Sequence, residues 1–173
     1  MTLPKKDSQT VTPDGESIAQ PIAGVLVHYA RTQADERGSL TELYDPRWGM
    51  MAEPMVYLYE FTIRPGAAKG WIMHKLQTDR IFLLRGAVRI VLYDDRATSP
   101  TYRMLNQYTL TEQNRGLICY PAGVYHALEN VGMTEALLIN LPTRPYNHED
   151  PDKYRLPLDN DVIPFKFKRV TGW

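Results

Sequence analysis

Imidazole is the side chain that gains and loses a proton near neutral pH, and this sequence holds four: His28, His74, His126 and His148. His74 ends the apolar run Trp71-Ile72-Met73-His74. In a strand, residues two apart point to one face, so Ile72 and His74 share a side. Asp79 stands directly before Arg80, at the head of another apolar run. It reads equally as an exposed strand start or as a buried carboxylate that orients an imidazole. Groups of these types move protons or, deprotonated, ligate a metal. Ile72 can do neither. His28 and His148 read as hydrogen-bonded core histidines. Tyr57, Tyr59, Tyr93, Tyr120 and Tyr125 read as core or cross-strand residues, none singled out as an acid. Cys119 lies in Leu117-Ile118-Cys119-Tyr120 and reads as a buried structural thiol.

The elements that must position these groups are strands. Short runs rich in Val, Ile, Leu, Tyr and Phe recur between turn signals, at 25–29, 40–44, 55–63, 71–74, 80–84, 87–93, 108–110, 116–120 and 136–141. Gly86 separates two of them, and Asp94-Asp95 and Pro65-Gly66 mark loops. No amphipathic helix with 3.6 periodicity stands out. Many short strands at near-regular spacing suggest a sandwich or barrel, and closure would remove exposed edges. The expected fold is therefore all-β, a single jelly-roll β-barrel domain. Residues 1–20 are polar and turn-rich and are expected to form a flexible arm. The barrel is expected over 21–141, and residues 142–173, rich in Pro, Asp, Tyr and Lys, as an irregular tail packed on it.

Composition narrows the partners. Hydrophobic residues make up 43% and charged ones 23% of 173 residues, ordinary globular usage that sets disordered and fibrous classes aside. Lys plus Arg and Asp plus Glu are 20 each, so no net field favours nucleic acid or a membrane, and neither is an expected partner. Anion recognition must be local. One cysteine fits a reducing compartment rather than a disulfide framework. Met1 to Gln20 has no apolar signal core, and no later run approaches a spanning helix. A cytoplasmic protein is expected.

Two segments resemble the paired signatures of the cupin superfamily. The first is met by Gly66, Ile72, His74, Asp79 and Gly86, with its spacing kept and two ligand types changed. The second, Pro-x-Gly-x-x-His-x-x-x-Asn, is complete as Pro121, Gly123, His126 and Asn130. The resemblance implies a double-stranded β-helix barrel whose interior receives His74, Asp79 and His126. It also implies a two-His-one-carboxylate metal set should an ion bind there, Ile72 having replaced one usual ligand.

From about Arg37 to Pro164 the chain further resembles the dTDP-4-dehydrorhamnose 3,5-epimerase family. Asp35-Glu36-Arg37-Gly38-Ser39-Leu40-Thr41-Glu42 is similar to that family's Asp-x-Arg-Gly-x-x-x-Glu segment, which implies nucleotide contacts for Arg37 and Glu42. A guanidinium suits this task because its fork donates two parallel bonds to phosphate. Lys69-Gly70-Trp71-Ile72-Met73-His74 resembles Arg-Gly-Leu-His-Tyr-Gln. In that register Lys69 takes the place of a phosphate-binding arginine, Ile72 that of the catalytic base, and His74 that of a glutamine. The family's enolate-stabilising lysine maps to Asp79, with reversed charge. His126, in Gly123-Val124-Tyr125-His126-Ala127, matches a kept histidine. The catalytic tyrosine has no equivalent near Leu138 to Asn140, where Asn140 is the nearest polar residue. His74 also matches the second histidine of the His-x-His pair in the 3,4-ketoisomerases.

The resemblance implies a homodimeric nucleotide-sugar epimerase or isomerase that needs no cofactor. In it His74 accepts a proton, Asp79 orients it, His126 or Lys69 meets the developing charge, and Arg37, Glu42, Lys69 and Asn140 hold substrate. Two rivals stand beside it: an enzyme using a divalent metal on His74, Asp79 and His126, and a catalytically silent sugar-binding protein.

Overall fold

Branched and aromatic residues favour pleated, half-buried backbone, and the runs that hold them become strands in a computed structural model that describes residues 3–50, 52–168 and 171–172. In chain order these are β1 (Leu26–Tyr29), β2 (Thr32–Asp35), β3 (Gly38–Thr41), β4 (Tyr59–Ile63), β5 (Ala67–Met73), β6 (Asp79–Arg85), β7 (Ala87–Asp94), β8 (Leu105–Thr111), β9 (Gly116–Tyr120), β10 (Val124–Asn130), β11 (Ala136–Asn140), β12 (Tyr154–Arg155) and β13 (Thr171–Gly172). One large sheet has the order β1-β9-β6-β11-β4 and the other β12-β5-β10-β7-β8, while β2 and β3 form a separate two-stranded sheet. All these neighbours are antiparallel; β13 adds to β5 in parallel.

The jelly roll is a single domain of two facing sheets, and the ladders do not close into the continuous barrel expected from the sequence. Closure would have protected the outer edge of β5. The tail protects it instead, since Tyr154 pairs with Met73, Arg155 with Ile72, and Thr171 with Ala67. That pairing, with Phe165 and Phe167 packed on Trp71, gives the tail more order than its composition suggests.

Both outer faces are covered, which explains why β9 and β10 are buried along their whole length. Leu43, Tyr44, Trp48 and Met50 lie over Phe82, Leu117 and Cys119 on the first sheet. The tail lies over Trp71, Val91 and Ala127 on the second. Burial pushes the Cys119 thiol up to about 12, as expected of an inert structural cysteine. Arg80, 1% exposed, also faces outward, where its Nε donates to the Leu141 carbonyl at 2.6 Å and its Nη1 to that of Glu53 at 3.0 Å. Between the sheets, Ile63, Leu83, Val88, Ile90, Leu92, Leu110, Ile118 and Leu138 form the main core.

Candidate functional site

The polar groups reach one cavity because of where each strand places its inward column. Asp79 opens β6, with Ile81 and Leu83 inward below it. Asn140 closes antiparallel β11 at the same end, opposite Ile81. On the facing sheet His126 pairs with Ile72 across β10 and β5. That contact is close because residue 70 is glycine at φ +146°; a Cβ there would stand 2.5 Å from the Cβ of Ala127. The ladder shifts register between His126 and Leu128. Strict alternation would send Lys69 to the face opposite Ile72, and the shift lets both line the cavity.

The cavity encloses about 370 Å³. Tyr57, Tyr59 and Phe61 form one wall, with neighbouring rings 5.6 and 6.2 Å apart. Ile72, His74, Gln77, Asp79, His126 and Asn140 form the floor, and Pro142, Arg144, Tyr146 and Lys153 arrive from the tail. Asp79 is the hub. Its Oδ2 lies 3.3 Å from Nε2 of His74 and 3.6 Å from Nε2 of His126. Its Oδ1 accepts from Gln77 Nε2 at 2.9 Å and Asn140 Nδ2 at 3.0 Å. The two imidazoles stack 5.5 Å apart, and the Tyr120 ring lies 4.6 Å from His126. Nδ1 of His74 meets the backbone carbonyl of Asp152. The carboxylate of Asp152 in turn accepts from the amides of Lys75 and Leu76 at 2.9 and 2.8 Å, so tail and loop hold the ring together.

These contacts separate the charges of the two histidines. Burial opposes a proton on His74, but the hydrogen bond and charge of Asp79, with the Asp152 carbonyl, raise its pKa above the ordinary value. Both His74 nitrogens face acceptors, the situation that a doubly protonated ring satisfies. Burial dominates at His126 and lowers it to about 4 despite the same carboxylate, so this ring is neutral at pH 7. Burial would raise Asp79, yet the His74 hydrogen bond and the nearby imidazoles bring it down to about 2. Tyr59 rises to about 12, first through burial and then through the charge of Asp79.

His74, Asp79, His126, Lys69 and Asn140 are thus brought together. Asn140, expected to touch substrate, spends Nδ2 on Asp79 and on the Tyr59 hydroxyl and its Oδ1 on the Arg80 amide. It holds Asp79 in place. Arg37 and Glu42 lie elsewhere. Arg37 sits at the β2–β3 turn, exposed and paired with Asp35, and Glu42 lines a separate cavity with His28, Arg31 and Trp48. His28 stacks on Trp48 at 3.8 Å, while His148 is exposed beside Tyr146 rather than in the core. Sequence reasoning missed Gln77, Arg144, Tyr146, Asp152 and Lys153. Tyr59 reads from sequence only as a core or cross-strand residue, although the alternating Tyr57-x-Tyr59-x-Phe61 column is a signal for its place in the wall.

Comparison with known proteins points one way. Residues 19–162 match the dTDP-4-dehydrorhamnose 3,5-epimerase family. The chain is 35% identical over 140 residues to a probable low-salt glycan biosynthesis epimerase, Agl13, of Haloferax volcanii, covering 80% of this chain and 89% of the relative. It is 32% identical over 146 residues to the spore coat polysaccharide biosynthesis protein SpsL of Bacillus subtilis, covering 84% and 96%. Among solved structures, a dTDP sugar isomerase from Desulfovibrio desulfuricans superposes with a TM-score of 0.78 at 28% identity, over 87% of this chain and 94% of that one.

Proposed function

Because the chain belongs to the dTDP-4-dehydrorhamnose 3,5-epimerase family, we propose that it moves a proton beside the keto group of a nucleotide-linked 4-keto-6-deoxyhexose, as an epimerase or ketoisomerase in surface-polysaccharide assembly. The observation that carries this reading is one carboxylate held between two imidazoles whose pKa values move in opposite directions. Titratable neighbours pushed apart in this way divide into an acid and a base. His74 begins as the donor, because both its nitrogens face acceptors, rather than as the acceptor suggested by its strand position. Neutral His126 accepts the proton removed from carbon, and Asp79 balances whichever ring is charged. Enolate chemistry of this kind needs an acid, a base and an oxyanion stabiliser but no cofactor.

Lys69 serves the nucleotide end. Arg37 and Glu42, remote from the cavity of their own chain, reach a nucleotide only in the cavity of a second copy, which favours a homodimer. A nucleotide-sugar substrate favours the cytoplasm, and no helix among the described residues is long and apolar enough to cross a membrane.

Solvent-deuterium exchange into dTDP-4-keto-6-deoxyglucose tests the reading. Incorporation at C3 or C5 that falls by about 10²–10⁴ in His74→Ala and in His126→Ala, the usual worth of acid–base groups, supports it. Tight binding of the sugar nucleotide without exchange leaves a silent sugar-binding protein.

A second reading rests on the same geometry. One ligand atom each from His74, Asp79 and His126 lie within 4.8 Å of one another. An Nδ1–H donated to the Asp152 carbonyl would leave the Nε2 lone pair of His74 aimed at the centre, the outer-shell support typical of metal-bound histidine. The donor set suits a divalent ion such as iron. Either a proton or a cation relieves the approach of Nε2 to the carboxylate. A stoichiometric metal in protein purified without chelator, lost in His74→Ala and His126→Ala, would favour the metal enzyme.

A further inference from the structure

Removing a proton beside a ketone puts negative charge on the carbonyl oxygen, and sites that do so place a cation or strong donors there. Strand β6 brings a carboxylate to the cavity instead, so positive charge must come from another element. Lys69, Arg144 and Lys153 line the cavity. Lys69 stands over the Phe61 ring, 5.7 Å from its centroid, toward the aromatic wall. Lys153 comes from the tail and is positioned on both sides in sequence. Asp152 before it is tied to the amides of 75 and 76 and to His74, and Tyr154 after it pairs with Met73 in β12, its ring under the ammonium of Lys75 at 4.2 Å. The backbone of Lys153 is therefore fixed between two anchored residues, and its side chain lines the cavity.

We propose that Lys153, carried to the cavity by the tail, meets the negative charge that develops on the carbonyl oxygen of a keto-sugar bound against His74, Asp79 and His126. The proposal rests on the keto-sugar reading. It divides the lysines by position: Lys69 serves the phosphates near the aromatic wall, and Lys153 serves the reacting carbon. Burial, then Arg155, lowers the pKa of Lys153, partly offset by the charge of Asp79, and its own charge is felt at His126. Lys153 is exposed in the free protein, and a sugar bound against it would exclude water and strengthen what the ammonium does to a neighbouring oxyanion. Lys153 itself forms no covalent bond. The C–H electron pair becomes the carbon–carbon double bond of the enolate, the carbonyl π pair moves to the oxygen, the proton passes to the base, and Lys153 neutralises the oxygen until a proton returns to carbon.

The test compares the parent protein with Lys153→Met, Lys153→Arg and Lys69→Met, reading two quantities. One is the rate of deuterium incorporation into dTDP-4-keto-6-deoxyglucose at saturation; the other is the dissociation constant for dTDP. Lys153→Met should slow exchange by about 10²–10³, the cost of losing one oxyanion donor, with dTDP binding preserved as a check on folding. Lys153→Arg should restore part of the rate, and Lys69→Met should weaken dTDP binding more than it slows exchange. Exchange in Lys153→Met at the parent rate overturns the proposal, as does a loss of dTDP affinity with the saturated rate kept, which would make Lys153 a phosphate contact. A parent protein with no exchange overturns the keto-sugar reading itself, and the role of Lys153 falls with it.

Discussion

The space between the two sheets has a packed end and a polar end, and the same strands build both. Along β6 the inward column runs Asp79, Ile81, Leu83; along β11 it runs Asn140, Leu138, Ala136; along β10 His126 is followed by Leu128. At one end aliphatic groups meet, and the polar side chain two residues past Leu128 on β10, Asn130, has its amide bonded to the Ile63 and Thr134 carbonyls and its oxygen to the Gly132 amide. At the other, a carboxylate buried to 3% exposure is tolerated because two donors reach one oxygen and two imidazoles face the other. A buried charge is costly unless so compensated. Stability therefore resides at one end and the proposed proton chemistry at the other, and substitutions at matched positions should pull the two properties apart.

The largest effect belongs to the packed end. Leu138→Ala, at a fully buried site, should cost about 2–5 kcal/mol in denaturant unfolding while leaving exchange per folded molecule unchanged. Two residues along the same strand, Asn140→Ala strips donors from Asp79 and Tyr59 and an acceptor from the Arg80 amide. It should cost about 1–3 kcal/mol, the range for unsatisfied buried polar groups, and should slow exchange as well. Equal behaviour of the two variants would break the contrast.

Acidification sharpens it further. The native protein resists protonating His126 until about pH 4, whereas the unfolded chain takes up that proton near 6.5. His126 therefore costs stability as pH falls from 6.5 to 4. His74 works the other way, since its pKa is raised; its contribution is present below 6.5 and fades as pH rises through the folded value. Asp79, lowered to about 2, contributes above 3.8 and loses that contribution between about 4 and 2. In unfolding measured across pH, His126→Gln should flatten the loss between 6.5 and 4, and His74→Gln should deepen it. The smallest effect lies outside both ends. Arg37→Ala, fully exposed, should leave the melting temperature unchanged and weaken dTDP binding only in a dimer.

The packed end was the more readable of the two from sequence. Runs such as 80–84, 87–93 and 116–120 announce strands because branched residues recur between turns, and they fall within β6, β7 and β9. β10 was not among those runs, because the requirements of the cavity and of a glutamate paired with Arg89 put His126, Glu129 and Asn130 into a buried strand. At the polar end, shared strand faces and recurring signatures were enough to bring His74, Asp79 and His126 to mind together. They did not reveal the charge state of His74, which depends on burial, on Asp79 and then on the carbonyl of Asp152, 78 residues away in sequence. Nor did they reveal Lys153 or Tyr146, which come from a tail with no periodic pattern. Lys69 faces the cavity through a register shift that alternation alone does not anticipate.

One carboxylate faces two imidazoles whose pKa values move in opposite directions. Imidazole carbon resonances followed by NMR across pH, in chelator-treated protein, read this directly. His74 should titrate above the ordinary histidine value while His126 stays neutral down to about pH 4, and Asp79→Asn should bring His74 down. Two histidines titrating together near 6.5, unmoved by Asp79→Asn, would contradict this opposition.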